Sequence, residues 1–69
     1  MSLLMLFEET LKDQGNKTSV DLEIGRSSYY DEDSIYFVID GKIVIVTREQ
    51  AKRFVDAVAD VGGYLGLNK

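Results

Sequence analysis

The chain of 69 residues contains no cysteine and no histidine. The first absence removes disulfides and thiolate chemistry, and the second removes the commonest zinc ligand and the side chain that most easily carries protons near neutral pH. No metal site and no cofactor are expected. Long hydrophobic runs are missing too. Residues 3–7 (Leu-Leu-Met-Leu-Phe) meet Glu8 and Glu9 after five apolar positions, against the roughly 20 that a membrane-spanning helix needs. They also lack the basic segment that precedes a secretory signal. A cytoplasmic protein with no membrane partner is the expectation. Acid-base chemistry would fall to carboxylates in an exposed loop with nothing to tune them, so the chain is expected not to be an enzyme.

What is present is unevenly charged. Residues 1–40 carry nine acids against three bases, a net of -6, and residues 41–69 carry five bases against three acids, a net of +2. Phosphate binding needs clustered Lys and Arg, so nucleic acid is a poor partner for the first half and a basic protein surface is the better match. At this length one small domain, residues 1–69, is expected, with about 3 to 10 kcal/mol of stability.

The clearest local signal is a β-hairpin over residues 34–46 around Asp40-Gly41, which suits the two positive-φ positions of a type I′ turn. In that register Tyr36 faces Ile45, Phe37 faces Val44, Val38 faces Ile43 and Ile39 faces Lys42. One face then carries Ile35, Phe37, Ile39, Val44 and Val46, and the other Tyr36, Val38, Ile43 and Ile45, so neither face is polar.

Upstream, Leu3, Leu4, Phe7 and Leu11 recur at three- and four-residue spacing after a possible cap at Ser2. This predicts a helix ending near Gln14 and Gly15. Residues 18–24 alternate as a half-buried strand with Asp21 and Glu23 on one side, and residues 25–33 read as a connection. Thr47 and Gln50 have capping-box spacing and open a second helix. Its expected buried stripe is Ala51, Phe54, Val55, Val58, Val61 and Leu65, and Gly62-Gly63 is expected to end or loosen it. The tail of residues 62–69 either docks or frays. The expected fold is α+β, a three-stranded antiparallel sheet flanked by an N-terminal and a C-terminal helix (α-β-β-β-α).

In that fold Tyr36, Val38, Ile43 and Ile45 form an apolar patch with an acidic edge, covered by the first helix or by a second copy of the chain, so a homodimer is one expectation. A second candidate is the loop Tyr29, Tyr30, Asp31, Glu32, Asp33, whose tyrosines and carboxylates suit a basic protein partner. These nine residues are the candidate partner-binding site. Asp31 and Asp33 lack the spacing of a calcium loop. A basic cluster, Arg48, Lys52 and Arg53, is the alternative, a nucleic-acid-binding or regulatory surface, although Glu49 and Arg53 also have ordinary i,i+4 ion-pair spacing.

The layout, together with Asp21, Glu23, Asp31-Glu32-Asp33 and the Asp40-Gly41 turn, resembles the small acidic phage-encoded inhibitors of host defence, anti-CRISPR proteins among them. The resemblance covers most of the chain in layout only. It implies action by stoichiometric binding to a host protein, in some such proteins with carboxylates presented where DNA phosphates would sit. A non-enzymatic protein-interaction module is the function expected from the sequence.

Overall fold

The computed structural model describes residues 2–68; Lys69, the last residue of the tail, lies outside them. The chain runs β1 (Leu3–Lys12), β2 (Ser19–Ser27), β3 (Ser34–Ile39), β4 (Lys42–Ile45) and α1 (Arg48–Leu65). The strands make one antiparallel sheet in the order β1-β2-β3-β4. The expected three-stranded sheet with two flanking helices is therefore overturned: the N-terminal segment is a fourth strand, and the fold is β-β-β-β-α.

A β-bulge explains why β1 has the spacing of a helix. Leu4 lies opposite Arg26 and Met5 opposite Gly25, but Phe7 lies opposite Ile24, so Leu6 is an extra residue in the ladder. A regular strand repeats every two residues; one inserted residue puts Leu4, Phe7 and Leu11 on the same face at intervals of three and then four. Those are also the intervals of an amphipathic helix.

Strand β2 continues three residues past its expected end at position 24. Gly25, Arg26 and Ser27, expected in a connection, are paired with β1 on one side and β3 on the other. Gly25 is required there because a Cβ would run into the Leu4 carbonyl of β1 and then the ring of Tyr36. The β3–β4 hairpin has the expected register, from Ile39 opposite Lys42 to Tyr36 opposite Ile45. Its turn residues Asp40 and Gly41 have φ of 50° and 85°. The turn is tied to β2: the Asp21 N–H donates to Asp40 Oδ1 and the Asp40 N–H to the Asp21 carbonyl, both at 2.9 Å.

Helix α1 opens as capped. The Gln50 N–H donates to Thr47 Oγ1 at 3.1 Å, and Glu32 Oε2 accepts from the Arg48 N–H at 3.3 Å, where a carboxylate complements the helix dipole. The helix continues through Gly62-Gly63 and ends at Gly66, φ 76°. There the Leu67 N–H donates to the Gly62 carbonyl at 2.7 Å and the Gly66 N–H to the Gly63 carbonyl at 3.1 Å, a Schellman ending. Asn68 Nδ2 donates to the Ala59 carbonyl at 3.0 Å, so the tail as far as Asn68 folds back on the helix it follows.

The helix sits on the face that bears Phe37, whose ring meets Phe54 edge-to-face at a centroid distance of 4.9 Å. Its expected buried stripe is buried only at its start. Exposure climbs along it, from 8% at Ala51 to 41% at Phe54, 53% at Val58, 58% at Val61 and 59% at Leu65. An 18-residue helix is about 27 Å long, whereas the six residues of β3 span about 20 Å. α1 is longer than the strand that seats it by about one turn.

Candidate functional site

Pairing across the ladders sorts the side chains onto two unlike faces. The helix face carries Leu4, Phe7, Leu11, Ile24, Ile35, Phe37 and Val44 beneath and beside α1. On the opposite, open face lie Glu8, Thr10, Asp21, Glu23, Tyr36, Val38, Ile43 and Ile45.

The open face is acidic at one end and apolar at the other. At the acidic end Glu8 and Glu23 are directly opposed, an arrangement that costs stability unless a cation or a donor intervenes. Thr10 faces Asp21 and donates its hydroxyl to Asp21 Oδ1 at 2.7 Å. With Val38 and Gly41 these residues line a hollow of about 450 Å³. At the apolar end Leu3, Tyr29, Tyr30, Ile43 and Ile45 line a hollow of about 650 Å³. Tyr29 and Tyr30 stack edge-to-face at 4.9 Å and are both exposed.

Tyr36 joins the two ends. It is 1% exposed, and its hydroxyl donates to the Glu23 carboxylate. That hydrogen bond, then burial, then the charges of Glu23 and Glu8 hold the phenol proton, raising its pKa from 10.0 to about 12.

The residues singled out in the sequence thus separate. Tyr29, Tyr30, Ile43 and Ile45 come together in one hollow, Val38 lines the other, and Tyr36 lies beneath the surface between them. Asp31 is exposed. Glu32 and Asp33 turn toward α1: Glu32 accepts from the Arg48 backbone, the Asp33 carbonyl accepts from Arg48 Nη1 at 3.0 Å, and the Asp33 carboxylate stands 3.8 Å from Arg26. In the basic cluster Lys52 pairs with Asp56 at 3.1 Å, which is the i,i+4 pair formed in place of Glu49 with Arg53.

Leu3, Glu8 and Thr10 belong to the open face but were hidden by the helical spacing of β1. Their signal is a mirror symmetry about Gly15-Asn16: Leu11 faces Val20 and Phe7 faces Ile24 across a turn in which Asn16 has φ 60°.

Beside α1 on the helix face a groove of about 600 Å³ stays open, with Leu6, Ile24, Ile35 and Val55 among its walls. Arg26 Nε and Ser34 Oγ, both from residues lining it, are buried without a hydrogen-bond partner among the described residues. Among those residues no group of three or more potential ligands gathers to hold a metal, and no helix is long and apolar enough to cross a membrane. Compared with known proteins, the chain matches no family model, no curated protein and no solved structure.

Proposed function

We propose that this chain is a non-enzymatic protein-interaction module that works as a self-associated pair and offers its open face to a protein partner. One observation carries the proposal: the chain exposes 5717 Å², whereas a folded monomer of 7.8 kDa exposes about 4,400 Å². The difference, about 1,300 Å², exceeds the roughly 800 Å² that each partner buries in a standard interface. Its radius of gyration, 13.6 Å, likewise exceeds the value of about 11 Å for a compact chain of this length. Among the described residues only Tyr36 and Ala51 are buried hydrophobic side chains. So small a core does not offset the entropy of ordering the chain, and a second copy supplies the missing burial.

The open face suits a partner segment with an apolar anchor next to Lys or Arg. The anchor would enter the hollow of Tyr29, Tyr30, Ile43 and Ile45, and the cations would meet Glu8, Asp21 and Glu23. Nucleic-acid binding through Arg48, Lys52 and Arg53 draws less support, because Arg48 is held by Asp33 and Lys52 by Asp56, whereas phosphate contacts need free clustered cations. Light scattering on the full chain tests self-association: the expected mass is twice 7.8 kDa. A monomer throughout the micromolar range would overturn it.

A further inference from the structure

We infer that the second copy lays the end of its α1 in the open groove over β1 and β2, and that the exchange is reciprocal. The inference rests on the self-association proposed above and adds which surfaces meet. Four strands spaced about 4.8 Å apart present a face roughly 15 to 19 Å wide, enough for two helices at 8 to 10 Å each. This chain brings one helix, seated over β3 by the contact of Phe37 with Phe54. The other half of the layer is the groove walled by Leu6, Ile24, Ile35 and Val55, in which Leu6 is 71% exposed.

Each copy also has helix to spare. From Ala51 to Leu65 the uncharged positions cover about half the circumference of α1, more than the roughly 100° stripe that one neighbouring surface needs. Its Val58, Val61 and Leu65 are each more than half exposed. A groove that lacks a helix and an exposed helix end, both on one chain, satisfy each other twice across a two-fold axis. Charge favours the same orientation. The groove is rimmed by Arg26, Arg48 and Lys52 against Asp33 and Asp56, one cation in excess, and the last turn of α1 carries no base to oppose it.

The absence of cysteine makes the contact directly readable. Two full-length single variants, L6C and V61C, are checked for fold by circular dichroism, mixed in equal amounts and treated with a short bis-maleimide. The mixture is expected to give a band at twice 7.8 kDa, several-fold stronger than either variant gives alone. With no gain on mixing, strong cross-linking of V61C alone would mean that the helix ends meet only each other, and strong cross-linking of L6C alone that the β1 edges meet. Either result overturns the groove assignment while leaving self-association standing, whereas a wild-type monomer by light scattering sinks both. A sample mixed from labelled and unlabelled wild-type chains reads the contact without substitution. Intermolecular NOEs between Leu6 and Val61 methyls are expected, and their absence in a dimer contradicts the inference.

Discussion

The ring of Tyr36 lies across Gly25, so close that a Cβ on Gly25 would stand 2.7 Å from Tyr36 Cε2 and closer still to the Leu4 carbonyl oxygen. The larger obstacle is backbone, which cannot swing aside as a side chain can. Gly25→Ala should therefore force β1 away from β2 and cost about 3 kcal/mol or more, at the top of the range for overpacking. Urea unfolding with circular dichroism measures it, and a loss below about 1 kcal/mol would mean that the two strands are not held this closely.

Tyr36 gives the fold an alkaline limit. Its folded pKa is raised from 10.0 to about 12 by the hydrogen bond to Glu23, by burial and by the nearby charges. Between those values the folded chain keeps a proton that the unfolded chain releases. The contribution is fully present below about pH 10 and is lost as pH rises through about 12. Tyr36→Phe should flatten the fall in stability over this window, as read by unfolding midpoints at pH 9, 10, 11 and 12. An unchanged slope would place the responsible group elsewhere.

Phe54 of α1 grips the sheet through its edge-to-face contact with Phe37. It remains partly exposed, so Phe54→Ala should cost about 2 kcal/mol, less than the 3 to 5 of a fully enclosed phenylalanine. A double-mutant cycle with Phe37→Ala should show coupling of about 0.5 to 1.5 kcal/mol. Additive losses would mean that the two rings do not support each other.

On the open face, Ile43 is half exposed and lines the tyrosine hollow, away from the helix-side groove. Ile43→Asp should leave the chain folded and its solution mass unchanged, with a cost within about 1 kcal/mol. A shift of mass to the monomer would move the contact between copies to the open face.

The parts of this fold legible in the sequence are those fixed by local chemistry. Asp40-Gly41 dictates the hairpin turn and hence the facing pairs from Tyr36 to Ile45. Thr47 marks the start of α1. Alternation over residues 18–24 places Asp21 and Glu23 on the same face as Val38. The parts that were not legible depend on partners distant in sequence. β1 carries a bulge at Leu6 that imitates helical spacing, and only its pairing with β2 distinguishes the two. The stripe from Phe54 to Leu65 has the pattern of a buried face, yet how much of it this chain covers depends on the length of β3, which α1 outruns. Glu32 and Asp33 look free in a loop of acids, and only the folded chain shows them engaged by Arg48 and Arg26.

If this fold completes its core only with a second copy, as proposed, its stability depends on protein concentration. For a chain that folds as a pair, a hundredfold rise in concentration adds about 2.7 kcal/mol per mole of pair, about 1.4 per chain, to the apparent stability and moves the thermal midpoint upward. The thermal midpoint of the wild-type chain is measured across that range. A midpoint that rises with concentration is the result predicted here; one that stays constant, with a single cooperative transition, would show a chain stable by itself and contradict the account.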